Sequence, residues 1–85
     1  MRDIQIGKVY RHFKGNYYYI VDIAIHSETR EEYVVYQALY DDYKTYIRQK
    51  DMFLEEADLN REDNIFKQKY RFQLIDVRTG KLLEE

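Results

Sequence analysis

Residues 17–26 read Tyr-Tyr-Tyr-Ile-Val-Asp-Ile-Ala-Ile-His, a run dominated by aromatic and β-branched residues. Residues of these types favour β-strands. Successive side chains of a strand point to opposite sides, and both sides of this run are mainly apolar. A strand that is apolar on both sides usually lies in the middle of a sheet that is curled or covered. The run therefore predicts the central strand of a small barrel rather than of an open sheet.

Four further strands are predicted around this one. They cover residues 8–14, 32–40, 45–49 and 65–75. Gly15-Asn16 is predicted to form a two-residue hairpin loop of type II′, because glycine stands at its first central position. Polar turns are predicted at residues 27–31, 41–44 and 78–81. The C-terminal residues 82–85 are expected to fray.

A single helical turn at Lys50-Asp51-Met52-Phe53 is predicted before the last strand. The residues that follow, 55–64, permit a helix, an acidic loop or an edge strand. An OB-fold would place a helix between the third and fourth strands, where this chain has only turn residues. The predicted fold is all-β, a small five-stranded SH3-like barrel with one helical turn before the last strand. The 85 residues form one domain, with the barrel in residues 7–75 and a C-terminal tail in residues 76–85.

The composition excludes several classes of protein. The chain has no cysteine, which removes disulfides, thiolate metal sites and cysteine nucleophiles. No apolar run approaches the ~20 residues that cross a bilayer, and the first residues lack the apolar core of a signal peptide. We therefore expect a cytoplasmic protein with no membrane partner. Residues 51–63 carry six acidic residues and one basic residue, a balance that disfavours a dedicated nucleic-acid binder.

His12 and His26 are the only histidines and the natural candidates for acid–base or metal chemistry. Together with Glu28 they would form a set of two histidines and one carboxylate. With a two-residue loop in the first hairpin, paired residues have numbers that sum to 31, so His12 faces Tyr19 and His26 lies across the sheet. A three-residue loop would reverse this parity and place both histidines on one side. We expect a hydrogen-bonded structural role for each histidine, no metal site and no cofactor.

The corner His26-Ser27-Glu28-Thr29 places a hydroxyl beside a histidine, as some nucleophilic sites do. Adjacent residues at a strand end point in opposite directions, however, so the two side chains seldom bond. We therefore predict turn chemistry, in which Ser27, Glu28 and Thr29 satisfy backbone N–H groups of the loop. No residue of the chain is predicted to be catalytic.

Arginines and tyrosines are the candidates for a binding surface. Arg11, Lys14 and Arg48 could converge with His12 to bind a phosphate or a carboxylate, since arginine presents paired donors to either. So small a domain cannot bury all of its ten tyrosines, and those at the surface suit a protein partner or stacked bases. The candidate binding residues are Arg11, His12, His26, Glu28, Tyr36, Tyr40, Tyr43, Tyr46 and Arg48.

Three ordered blocks of the chain resemble a known family. They are Tyr10-Arg11-His12-Phe13-Lys14-Gly15-Asn16-Tyr17-Tyr18, Ala24-Ile25-His26-Ser27-Glu28-Thr29 and Val34-Val35-Tyr36-Gln37-Ala38-Leu39-Tyr40, followed by Met52-Phe53. In these blocks the chain is similar to a bacterial family of short proteins of unknown function, DUF1653. The family pattern has Trp-Val-Arg-Pro where this chain has Tyr46-Ile47-Arg48-Gln49, so Arg48 matches and its flanking Trp and Pro do not. The resemblance implies a small β-barrel and no established activity.

Three functions are compatible with these observations. The leading hypothesis is a non-enzymatic interaction module that binds a protein or peptide through a surface of tyrosine and arginine. The alternative is a nucleic-acid-associated barrel that uses Arg11, Lys14, Arg48 and the same tyrosines. The third is a small enzyme, for which His12, His26 and Glu28 are the only plausible actors. We expect a binding protein rather than an enzyme, and the sequence does not indicate an oligomeric state.

Overall fold

The structure, a computed structural model, describes residues 2–83 and consists mostly of β-strands. In chain order the elements are β1 (Val9–His12), β2 (Tyr17–Ile25), β3 (Glu32–Ala38), β4 (Thr45–Gln49), α1 (Lys50–Phe53) and β5 (Phe72–Leu74). The five strands form one antiparallel sheet in the order β4-β3-β2-β1-β5. The predicted strand-rich fold, its central strand and its helical turn are confirmed. The described residues do not pair β4 with β5, so the sheet is open there and the predicted barrel is not confirmed.

A β-bulge in the central strand explains why the sequence of β2 is apolar on both sides. Ile20 pairs with Tyr36, whereas Asp22 pairs with Val35, so Val21 is an extra residue in the ladder. Before the bulge Ile20 is buried, and after it Ile23 packs against the same core. β2 therefore turns even-numbered residues to the core before the bulge and odd-numbered residues after it. One covered side of the sheet is enough to bury apolar residues of both kinds.

The core lies on one side of the sheet, here called the inner side. Its central contact is the parallel stack of Phe53 from α1 on Phe72 from β5, with ring centroids 4.0 Å apart and planes 7° apart. Tyr10 meets Phe53 edge-on at 5.8 Å, and Tyr36 does so at 5.3 Å. Offset and edge-to-face pairs of this kind add ~0.5–1.5 kcal/mol each to the burial of their apolar surface. The helical turn thus covers the core, because Phe53 packs on the apolar rings that the inner side of the sheet presents.

The first hairpin has a three-residue loop, so the predicted type II′ turn is wrong. Arg11 pairs with Tyr17, and the His12 N–H donates to the Asn16 carbonyl at 2.8 Å, which leaves residues 13–15 as the loop. Gly15 ends this loop at φ +107°, a conformation that other residues rarely adopt. A Cβ on Gly15 would also lie 3.3 Å from the Phe66 ring, so packing on a distant loop favours glycine here.

The predicted fifth strand over residues 65–75 is too long. Residues 55–71 form an irregular loop, with one isolated bridge between Glu56 and Tyr70. The Asn64 side chain accepts the Gln68 N–H at 2.9 Å and donates to the Gln68 carbonyl at 2.9 Å. Gln68 in turn donates to the carbonyls of Arg11 at 2.8 Å and Tyr70 at 2.9 Å. Side chains therefore satisfy backbone groups that a strand would have paired.

The segment after β5 turns back on it. The Gly80 N–H donates to the Asp76 carbonyl at 2.7 Å, which confirms the predicted turn. Leu82 forms a bridge with Ile75, and the Leu83 N–H donates to the Leu74 carbonyl at 2.9 Å. Residues 82 and 83 therefore have backbone partners on β5, residues 84 and 85 lie outside the described part, and the fraying of this end stays a prediction. Within residues 2–83, no helix has the length and apolar character needed to cross a bilayer.

We predict that Gln68→Ala lowers the free energy of unfolding by ~2–4 kcal/mol, because the buried Arg11 side chain would lose its Gln68 acceptor and the carbonyls of Arg11 and Tyr70 would lose the hydrogen bonds that the Gln68 amide donates. Urea denaturation followed by circular dichroism measures this loss. Gln5→Ala is the matched control, since Gln5 is exposed and only its backbone N–H bonds Tyr10. Equal small losses for both variants would show that Gln68 does not hold the loop.

Candidate functional site

The inner side of the sheet reaches the surface beyond the Phe53–Phe72 stack. The ladder pairs Tyr36 with Tyr46 and Val34 with Arg48, which places their side chains on the inner side. His12 pairs with Phe72 across β1 and β5, and so lies on that side too. We call this surface the aromatic face, defined by His12, Tyr18, Tyr36, Tyr40, Tyr46 and Arg48.

Edge-to-face contacts hold the rings of the aromatic face in place. The Tyr18 ring meets Tyr36 at 5.3 Å, Tyr40 at 5.6 Å and Phe72 at 5.6 Å, at interplanar angles of 71°, 83° and 74°. Tyr46 lies 5.9 Å from Tyr36 and remains 44% exposed. The face is therefore a set of packed rings with one exposed member, which loses little side-chain entropy on binding.

A pair of hydroxyls joins two of these tyrosines. The hydroxyl oxygens of Tyr18 and Tyr40 lie 2.7 Å apart, and either can be the donor. Burial, and next the hydrogen bond with Tyr40, raise the pKa of Tyr18. The Tyr18 phenol therefore stays protonated at neutral pH, and the pair of hydroxyls can offer a donor or an acceptor to a ligand.

Arg48 is the cation of the aromatic face. Its Nε lies 3.4 Å from the Tyr36 hydroxyl and its guanidinium carbon lies 5.7 Å from the centre of the Phe72 ring. Across residues 2–83, Arg48 forms no ion pair with a carboxylate. The guanidinium group is thus oriented by aromatic side chains while its charge is not neutralised within the described chain.

His12 is half-buried between rings and is a poor base. Its ring lies 4.3 Å from Phe13 and 4.9 Å from Phe72, and its Nδ1 accepts the Lys14 N–H at 3.1 Å. Burial lowers the pKa of His12 to about 4, and nearby positive charges add to the effect. These charges belong to Arg71, Lys14, Arg48 and Arg61. Since Nδ1 is an acceptor, neutral His12 carries its proton on Nε2 and serves as a hydrogen-bond donor at pH 7.

Arg11, a predicted binding residue, lies on the other side of β1. It is only 9% exposed, its Nε donates to the Gln68 side-chain oxygen at 3.0 Å, and its guanidinium carbon stacks 4.0 Å from the centre of the Phe66 ring. The structure therefore does not bring Arg11 to the aromatic face, because strand alternation directs it to the loop that covers β1.

His26 and Glu28 lie in the turn between β2 and β3. The His26 Nδ1 accepts the N–H groups of Glu28 and Thr29, each at 3.2 Å. The Thr29 hydroxyl accepts the Glu31 N–H at 3.2 Å. The predicted turn chemistry is confirmed for Thr29, whereas the histidine His26 has the acceptor role that was expected of Ser27 and Glu28.

The two histidines lie on opposite sides, as predicted, but for a different reason. The three-residue loop places His12 on the side of Tyr18, which alone would restore a common side with His26. The bulge at Val21 then reverses the parity again. His12, the last residue of β1, also lies opposite Asn16, just before β2 begins, whereas His26 follows the end of β2. Among the described residues, no group of three His, Cys, Asp or Glu side chains could hold a metal ion.

Of the remaining predicted residues, Tyr36, Tyr40, Tyr46 and Arg48 come together with His12, while Tyr43 does not. Tyr43 is exposed in the turn after β3 at φ 55°. Sequence reasoning missed Tyr18 as a part of the site and Phe72 as the buried ring that supports it. Tyr18 would have been found with the correct loop length, since His12 pairs with Asn16 and therefore shares its side with Tyr18.

We predict that His12 titrates with a midpoint near pH 4, measured from the imidazole resonance that disappears in His12→Gln. The folded pKa lies below the ordinary value of 6.5, so the unfolded chain binds more protons between about pH 4 and 6.5. The stabilisation by neutral His12 is present above pH 6.5 and is lost as the pH falls towards 4. Wild type should therefore lose more stability than His12→Gln between pH 7 and pH 5. A midpoint above 6 would show that His12 is solvated.

Comparison with known proteins yields one result. The model of the family described as "Protein of unknown function (DUF1653)" matches residues 8–74, which include all five strands and α1. No curated protein and no solved structure matches the chain. The matched segment covers more than half of the sequence and contains every residue of the aromatic face. The chain therefore belongs to the DUF1653 family of proteins of unknown function.

Proposed function

We propose that this protein is a non-enzymatic interaction module whose aromatic face binds a protein or peptide segment. The observation that carries the proposal is Arg48, a cation without a carboxylate partner in the described chain that lies among tyrosines. Tyrosine and arginine are the residues that most often dominate binding energy at protein interfaces. The packed rings around Tyr18 supply a preformed surface for such a partner.

The strand arrangement supports an SH3-like bend of the sheet as part of the proposal. β2 contributes to two ladders, one with β1 near its beginning and one with β3 along its length. A bulge such as the one at Val21 bends the strand that carries it, and α1 lies between the last two strands in chain order, which supports the proposed SH3-like arrangement. Such a bend would leave the aromatic face as a shallow concave surface. Function in a bacterial cytoplasm remains a prediction from the sequence.

We expect Tyr46→Ala to abolish the recovery of peptides when a displayed library of random heptapeptides is panned against the protein. Tyr46 is the exposed ring of the aromatic face, and truncation of a tyrosine that dominates an interface costs about 2 kcal/mol or more. Tyr17→Ala is the matched control, because Tyr17 is 40% exposed on the outer side. Melting curves establish that both variants are folded. Equal enrichment by the two variants, or none by wild type, would refute peptide binding through this face.

Nucleic-acid binding is the second candidate, and one observation favours it. Four cations act on His12, namely Lys14, Arg48, Arg61 and Arg71. The charges of three of them are already neutralised in part. Lys14 and Arg61 pair with Asp63 at 3.8 and 2.8 Å, and Arg71 pairs with Glu55. Because these cations already pair with carboxylates, they are less available to phosphates, and the nucleic-acid hypothesis is weaker than the peptide hypothesis.

Titration of a single-stranded oligonucleotide at 50 and 200 mM salt separates the two candidates. A protein that contacts six or more phosphates loses ~10³-fold in affinity over this range. At 50 mM salt we expect that the oligonucleotide shows no binding that depends on Arg48. Wild type and Arg48→Gln should therefore give the same titration. Strong binding with a steep salt dependence would replace the peptide by a nucleic acid as the ligand.

A further inference from the structure

We propose that the aromatic face anchors its peptide through one carboxylate, which the guanidinium group of Arg48 receives. This inference rests on the proposed function and names the chemical group that the site recognises. The carboxylate belongs either to an acidic side chain or to the C-terminus of the peptide, since both present the same pair of oxygens.

The geometry of Arg48 favours an anionic ligand. Its contacts are with the Tyr36 hydroxyl at 3.4 Å and the Phe72 ring at 5.7 Å, and neither neutralises the charge. The remaining N–H groups of the guanidinium form a planar fork that matches the two oxygens of a carboxylate. Tyr36 and Phe72, the two rings that Arg48 contacts, are buried. A charged hydrogen bond beside buried rings is stronger than one in open water.

The charge of the aromatic face suits a single carboxylate. His12 is neutral at pH 7, so Arg48 is the only charged group among the six residues that define the face. The tyrosine hydroxyls and the Nε2–H of His12 are neutral donors. Lys14, Arg61 and Arg71 lie near His12 but pair with carboxylates, so Arg48 is the cation of the face that is left to complement one negative charge.

A polyanion is a poorer match because acidic residues border the face. Tyr40 and Tyr46 line a cavity of about 150 Å³ together with Asp41, Asp42 and Lys44. Lys44 lies 4.0 Å from Asp42, so the other aspartate leaves this border with an excess of negative charge. A chain of phosphates that ran from Arg48 past Tyr46 towards Tyr40 would meet the carboxylates of this border. A peptide with a single carboxylate at Arg48 need not meet them.

The inference is tested on peptides recovered from two random heptapeptide libraries, one with a free and one with an amidated C-terminus. Each recovered peptide is resynthesised with Asp and Glu replaced by Asn and Gln, and separately with its C-terminal carboxylate amidated. Isothermal titration calorimetry should show that removal of one of these carboxylates weakens binding about tenfold or more. Which replacement does so identifies the source of the carboxylate.

Three variants link the carboxylate to Arg48. Arg48→Gln should weaken binding about tenfold and remove the difference between the acidic peptides and their amides, because the charge is lost. Arg48→Lys should retain part of the affinity, because it keeps the charge without the fork. Arg78→Gln is the control, since Arg78 is exposed in the turn after β5.

The outcomes separate this inference from the proposed function. Peptides that bind in a Tyr46-dependent manner but equally well as acids and amides would overturn the carboxylate anchor alone. Recovery of no peptide would overturn both. Binding that depends on a peptide carboxylate but is unchanged in Arg48→Gln would also overturn the inference, because the anchor would then lie elsewhere.

Discussion

The stack of Phe53 on Phe72 is the contact on which the rest of this structure depends. Phe72 belongs to an edge strand of only three residues, and Phe53 belongs to a single helical turn, so neither element would persist alone. Their stacked rings bury the inner side of the sheet between β3 and β5. The same Phe72 ring then supports His12, Tyr18 and Tyr36, so that core packing and the proposed binding surface share one side chain.

This shared packing accounts for the chemistry of the aromatic face. Rings that are wedged against the core cannot rotate freely, and their hydroxyls and the His12 ring stay in place. Burial against Phe13 and Phe72 keeps His12 neutral, while Arg48 lies beside the core without a carboxylate partner in the described chain. These neutral donors and the one cation of Arg48 are the groups on which the proposed peptide binding depends.

Sequence reasoning succeeded where the signal was local. The run at residues 17–26, the turn near Gly80 and the helical turn at Phe53 were all predicted. Tyr36, Tyr40, Tyr46 and Arg48, named as candidate binding residues, lie together in the structure, and their binding role stays a prediction. It failed where a distant contact decides the conformation. Gly15 was placed at the beginning of the hairpin loop, but it ends the loop because its backbone lies against Phe66. Residues 65–71 looked like a strand, but Gln68 and Asn64 bind backbone groups there in place of a neighbouring strand.

The sequence by itself determined that the chain forms short antiparallel strands with tight turns, because side-chain shape and turn chemistry act over a few residues. Only the tertiary structure decided which side chains meet. One extra loop residue and one bulge at Val21 each reverse the side to which a strand residue points, and neither has a clear local signature. For this reason Arg11 lies in the packed loop interface while His12, Tyr18 and Arg48 share the aromatic face. The uncompensated charge of Arg48 likewise follows from the positions of acidic residues elsewhere in the fold.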